Sequence, residues 1–127
     1  MMQLKESCLY VNDLAQIRHF YHDILELPVF SEVVGRHVFF RAGSVVFLCF
    51  NPEMTKNETT LPPHHANGKQ HVAFEVPVEE YDNWKEKIKK ADVKITYEHK
   101  WREGMFSFYF NDPEENVVEI VMEGLWG

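Results

Sequence analysis

The sequence predicts an α+β domain made of two tandem βαβββ modules within 127 residues. Three observations carry that expectation. The order strand, helix, three strands occurs twice, separated once by a polar stretch at 51–68 that holds three of the six prolines. The two leading strands match at an offset of 65, which sets Glu6 on His71 and Val11 on Val76, an internal repeat of the kind sought before function is argued. Neither half is long enough to bury a sufficient core alone. The halves are therefore expected to pack about a pseudo-twofold axis, as one curved, barrel-like mixed sheet with the helices outside. The chain is then one domain, 1–127, with module one at 4–50, a linker at 51–68 and module two at 69–123.

Each element has a local reason. A strand is expected at 6–11, followed by a helix capped by Asn12 or Asp13, with Gln16 three or four residues on as in a capping box. Leu14, Ile17, Phe20, Tyr21, Ile24 and Leu25 recur at three and four and give that helix one apolar stripe, which Pro28 ends. Strands follow at 29–34, 38–41 and 45–50, punctuated by Gly35 and Gly43. The stretch 51–68 reads as a linker or lid. In the second half, a strand at 70–76 precedes a helix marked by Val78, Tyr81, Trp84, Ile88 and Ala91. That helix is acidic at its start and basic at its end, as the helix dipole favours. Asp92 occupies the turn where glycine is commoner. Strands at 94–98, 107–110 and 117–122 complete the set, the last two joined by an Asn111-Asp112-Pro113 turn.

Composition narrows the function. Apolar residues make up 45% and charged residues 26%, the balance of an ordinary globular domain. No run approaches the ~20 apolar residues of a membrane span, and the first residues do not read as a signal peptide. Cys8 and Cys49 stand apart without a CxxC pair, which suits a reducing cytoplasm. A net charge of −7, with basic residues clustered only on the second helix, argues against nucleic acid and for a neutral or cationic small ligand.

Strand alternation picks out candidate site residues. Glu6, Cys8 and Tyr10 share one face of the first strand; His71, Ala73 and Glu75 share one face of its counterpart. Glu119 sits mid-strand among Val117, Val118, Ile120, Val121 and Met122, where an unpaired buried carboxylate would be costly. Aligning Val45–Leu48 with Val117–Ile120 at an offset of 72 sets Phe47 opposite Glu119. Glu6, His71, Phe47 and Glu119 are then expected to converge on the concave side. One imidazole and two carboxylates from three strands suit a divalent metal such as Zn, Ni, Mn or Fe, with open positions for a substrate. Taken one at a time, each has an ordinary alternative: a packed His71, a solvated Glu6, an edge Glu119 facing water. His64 and His65 in the linker could reach the cleft or remain solvated. Arg41 and Arg102 could hold an anionic group. Phe39, Phe47, Tyr97, Trp101, Phe106 and Tyr109 could line an aromatic pocket, with Cys49 beside Phe47, although core packing is the default for strand aromatics.

Three stretches, LYVNDLAQIRHFYHDILELPV, HVAFEV and SFYFNDPEENVVEIV, resemble the vicinal oxygen chelate superfamily of glyoxalase, bleomycin-resistance and extradiol dioxygenase proteins. The segment Leu61-Pro-Pro-His-His through His71 and the ending GLWG resemble a group of its small members. The resemblance spans nearly the whole chain and implies the glyoxalase-like fold, with metal ligands at Glu6, His71 and Glu119. A fourth position, a carboxylate in glyoxalase I, is here Phe47. The resemblance further implies a homodimer and a metal-dependent enzyme, of lyase or isomerase type rather than a dioxygenase. Its small substrate would chelate through neighbouring oxygens, with Glu6 or Glu119 as base. Phe47, Cys49, His64, Trp101, Arg102, Phe106 and Tyr109 are the expected substrate contacts. The alternative is a non-catalytic small-molecule binding protein like the bleomycin-resistance members.

Overall fold

A computed structural model describes residues 1–61 and 64–127. Pro62 and Pro63, two of the linker prolines and part of the motif that begins at Leu61, lie outside the described residues. The chain divides into two compact units, Met1–Gly68 and Lys69–Gly127, each carrying one four-stranded mixed sheet. The fold class is α+β and glyoxalase-like, as the sequence predicts.

In the first unit the strands β1 (Glu6–Tyr10), β2 (Val29–Val33), β3 (His37–Ala42) and β4 (Val45–Phe50) lie in the order β1-β4-β3-β2. β1 runs parallel to β4, and the remaining pairs are antiparallel. Helix α1 (Leu14–Arg18) starts at Asp13, whose carboxylate accepts from the Gln16 amide at 3.1 Å. The chain then continues as a π-helical turn, His19–Ile24, in which Leu25 donates to the Phe20 carbonyl. The wider turn brings Phe20 and Leu25, five residues apart, into the core together. Periodicity at three and four did not reveal that widening. Glu26, with φ of 64°, then turns the chain out.

Ile17, Phe20 and Tyr21 cover one face of this sheet, the face that carries Val38, Phe40, Phe47 and Cys49. Tyr21 meets Phe47 edge-on at 5.0 Å between centroids and Phe40 at 5.8 Å. Buried side chains of this size stabilise the unit by roughly 1.5–3 kcal/mol each. The stretch after β4 is not structureless: Asn51 caps a single helical turn, α2 (Pro52–Thr55), and the Thr55 hydroxyl donates to the His64 carbonyl.

The opposite face of the first sheet carries a polar chain that clamps this stretch. Arg36 holds both carboxylate oxygens of Glu58 at 2.8 and 3.0 Å and also donates to Nδ1 of the buried His37. Since a guanidinium only donates, Nδ1 of His37 accepts, and its Nε2–H is left to donate to the Ser31 hydroxyl at 3.1 Å. His37 is therefore no base toward Ser31. Burial, and then the Arg36 charge, holds its imidazole below the ordinary histidine range. The unfolded chain consequently binds a proton that the folded one resists. His37 contributes stability that is complete above about pH 6.5 and is lost as the pH falls toward its folded value. The urea midpoint of the wild type is expected to drop between pH 7.5 and 5.5, and to drop less in His37→Gln. Equal drops would exclude His37 as the source.

In the second unit β5 (His71–Val76), β6 (Ile95–Arg102), β7 (Met105–Asn111) and β8 (Val117–Met122) lie in the order β5-β8-β7-β6, again with a parallel β5–β8 pair. Helix α3 (Tyr81–Lys90), entered through a 3-10 turn at Val78–Glu80, packs Tyr81 edge-on against Phe108 and buries Ile88. Asp92, φ 59°, makes the left-handed turn after it. Among the described residues, no helix is long and apolar enough to cross a membrane.

Candidate metal and ligand site

The site is built on the face of the second sheet that α3 does not cover. Because strand neighbours alternate, the cross-strand partners His71, Ala73, Val117, Glu119, Val121, Ser107, Tyr109, Tyr97 and His99 share this face. Phe108, Phe110, Val118 and Ile120 point the other way and are buried.

A buried turn aligns β5 with β8. Asp112 accepts through Oδ1 from the amides of Glu114 (2.8 Å) and Asn116 (2.9 Å), and through Oδ2 from the Asn116 side-chain amide (2.9 Å). Asn116 in turn accepts the Gln70 amide at 3.0 Å, and the Gln70 carbonyl accepts the Val117 amide at 2.8 Å. The DPEEN stretch is thus more than a turn: it sets the register that brings His71 beside Glu119.

There Nδ1 of His71 lies 3.0 Å from the Val117 carbonyl, and Nε2 lies 3.3 Å from Oε1 of Glu119. A carbonyl only accepts, so Nδ1 carries the proton and donates. In the neutral ring the lone pair is then on Nε2, facing a carboxylate oxygen; in the imidazolium Nε2–H donates to that oxygen. A backbone carbonyl fixing the far nitrogen is the usual support of a metal-ligating histidine. The Glu119 side chain is 9% exposed and that of His71 51%, so the carboxylate is walled in while the imidazole edge stays open. This donor pair fits a divalent cation.

Tyr109 stands directly across the β7–β8 ladder from Glu119. Burial, and then the Glu119 charge, raises the Tyr109 hydroxyl above the ordinary tyrosine range. Ser107 is fully buried and accepts from the Trp101 indole N–H at 3.0 Å. Beside them lies a cavity of about 360 Å³ lined by Thr96, Tyr97, His99, Trp101, Tyr109 and Val117. His99 meets Trp101 edge-on at 4.6 Å, and Tyr97 lies 6.0 Å from Tyr109.

Of the expected substrate contacts, Trp101 and Tyr109 lie at this site. Glu6 opens β1 in the first unit and is exposed. Among the described residues, no group of three or more His, Cys, Asp and Glu side chains is gathered that could hold a metal ion. Phe47 and Cys49 are on the opposite face of β4 from Glu6 and Cys8, packed under α1, which corrects their expected place in a cleft. The cause is a one-residue slip in the repeat. Cys8 pairs with Leu48 as Ala73 pairs with Glu119, so the counterpart of Glu119 is Leu48, at an offset of 71 (119 less 48). In a strand, a slip of one residue reverses every side chain. Phe106 is likewise corrected: it shares the helix-side face of β7 with Phe108 and Phe110. Arg102 donates to the Gly124 carbonyl at 3.1 Å. His64 belongs to the first unit, stacked on Phe50 at 4.5 Å, with Nδ1 buried and without a hydrogen-bond partner. Sequence reasoning missed Ser107, His99 and the Asp112–Asn116 pair. The strict alternation of β7 would have disclosed Ser107 on the Tyr109 face.

Comparison with known proteins identifies the family. Residues 3–120 match the family described as the Glyoxalase/Bleomycin resistance protein/Dioxygenase superfamily. The chain belongs to this superfamily. No curated protein matches it. Among solved structures of the superfamily fold, lactoylglutathione lyase from Agrobacterium tumefaciens is 31% identical, covers 98% of this chain and 96% of its own, and superposes with a TM-score of 0.92. The fosfomycin resistance protein FosX from Listeria monocytogenes is 20% identical over 99% of this chain and 97% of its own, with a TM-score of 0.73. A point mutant of FosX, 23% identical over 95% of this chain and 90% of its own (TM-score 0.71), was solved with Mn(II) and 1S,2S-dihydroxypropylphosphonic acid.

Proposed function

We propose that this chain is a divalent-metal-dependent enzyme of lyase or isomerase type, acting on a small substrate that presents two neighbouring oxygens. The observation that carries it is the His71–Glu119 pair, in which a tautomer locked by the Val117 carbonyl leaves Nε2 facing a buried carboxylate oxygen. Glu6 is the third proposed ligand. A divalent ion bound there supplies Lewis acidity toward the substrate oxygens. The chain's own groups do the rest. Tyr97, His99, Trp101 and Tyr109 form an aromatic wall that positions the substrate. Glu119 or Glu6 takes up the proton that leaves carbon, a role that needs a carboxylate within hydrogen-bond reach of it. The Agrobacterium and FosX relatives support this reading.

The aromatic cavity beside the pair needs no metal, and it supports a second reading, a non-catalytic small-molecule binding protein. Titration with Zn(II), Ni(II) and Mn(II), followed by elemental analysis, separates the two. One equivalent bound by wild type and lost in His71→Ala supports the enzyme. Wild type that binds none supports the binding protein. We also propose a homodimer, for which light scattering at micromolar concentration should give about twice 15.1 kDa; a monomer would refute it.

A further inference from the structure

The aromatic cavity of the second unit offers ring faces, because several of its polar atoms are already engaged within the wall. The Tyr97 hydroxyl lies 3.1 Å from Nδ1 of His99, and the Trp101 indole N–H donates to Ser107 at 3.0 Å. The Thr96 hydroxyl donates to the Tyr109 carbonyl at 3.1 Å. What Tyr97 and Trp101 turn outward is therefore π-surface, and they are 58% and 39% exposed. Trp126 meets Trp101 edge-on at 5.8 Å and lengthens the wall.

Charge decides what such a wall holds. Among the described residues, neither Lys nor Arg lines the cavity. Lys100 and Arg102, on either side of Trp101, are held by Glu103 at 2.8 Å and by the Gly124 carbonyl at 3.1 Å. The chain's own cations lie over other rings: Arg36 over Phe50, Arg41 over Phe30, Lys85 over Tyr81 and Lys87 over Trp84. The buried Glu119 borders the cavity, since Tyr109 faces it across the ladder and Val117 lies two residues before it on the same face. An aromatic face attracts a cation through its quadrupole, and a carboxylate beside it adds to that attraction. An anionic guest would find no cationic side chain in the wall.

We propose that this cavity binds a small organic cation, a substituted ammonium group held against the faces of Tyr97, Trp101 and Tyr109 with the Glu119 carboxylate as its counter-charge. The proposal names the ligand class of the small-molecule site described above and rests on that reading; it requires no bound metal. The net charge of −7 favours the same class of guest.

The test titrates the whole chain at constant ionic strength and about pH 8, where an ordinary imidazole is neutral. Its probes share one hydroxyethyl arm: choline, the uncharged carbon isostere 3,3-dimethylbutan-1-ol, and the anion 2-hydroxyethylphosphonate. By ligand-observed NMR, choline is expected to bind roughly 10-fold more tightly than the alcohol, and the phosphonate not to bind. Tyr97→Leu, Trp101→Leu and Glu119→Gln should each weaken choline binding several-fold. Tyr97→Leu is the variant least exposed to a folding defect, because more than half of that residue faces solvent. Phe30→Leu is the control: it removes an exposed ring of the first unit that Arg41 already covers at 4.5 Å, and should leave choline affinity unchanged. In Trp84→Phe protein only Trp101 and Trp126 fluoresce, and choline should alter that emission. An alcohol that binds as tightly as choline, or a phosphonate that binds more tightly than either, would overturn the cationic class and leave the small-molecule site standing. Choline affinity unchanged in Tyr97→Leu and Trp101→Leu would place the cation elsewhere and overturn the proposal. Wild type that binds none of the probes would overturn the small-molecule reading of the cavity together with the proposal.

Discussion

Glu119→Gln is expected to weaken Mn(II) or Zn(II) binding by about 100-fold or more, because a neutral amide replaces a charged oxygen donor and only His71 remains of the close pair. The change preserves shape. Stability of the metal-free protein should therefore move by no more than about 1 kcal/mol. With metal at a hundredfold excess over its Kd, wild type gains about 2.7 kcal/mol of apparent stability by linkage, and the variant should lose that gain. Thermal melts with and without metal, alongside elemental analysis, measure both quantities. Equal metal content in the two proteins would place the ion elsewhere.

Asp112→Ala is expected to cost about 3 kcal/mol or more of folding stability. The carboxylate is buried and accepts three hydrogen bonds, so its removal strands two amide N–H groups and the Asn116 side chain without their acceptor. Each buried donor left unsatisfied costs roughly 1–3 kcal/mol. The loss should extend to the site, since Asn116 also holds Gln70, the residue before His71. Metal affinity should therefore fall although Asp112 is not a proposed ligand. Urea unfolding gives the first effect and Mn(II) titration of the folded variant the second. A variant with wild-type stability would show that the turn does not hold the strands in register.

Much of this was legible in the chain. Two strands, Val45–Phe50 and Val117–Met122, begin and end where turn residues and apolar runs predict, and Asp13 caps α1 as its spacing suggests. His71 and Glu119 could be chosen because an imidazole and a carboxylate among apolar strand residues need a reason to be there. The π-helical turn at His19–Ile24 and the extension of β6 to Arg102 left no periodic signature, because both answer to what they pack against.

By itself, then, the sequence determined the α+β class and the repeated βαβββ order, and it singled out His71 and Glu119, which the fold brings side by side. Local propensity and side-chain alternation are properties of consecutive residues, and they survive without knowledge of neighbours. Register between strands is not such a property. Whether Phe47 or Leu48 stands where Glu119 stands in the other unit differs by one residue of offset, which alignment of two short apolar runs does not resolve and backbone pairing does. The orientation of His71 on the Val117 carbonyl and the Trp101–Ser107 hydrogen bond depend on which acceptor lies within about 3 Å of which donor. Only the tertiary structure decides that, because the partners are supplied by strands far apart in the chain.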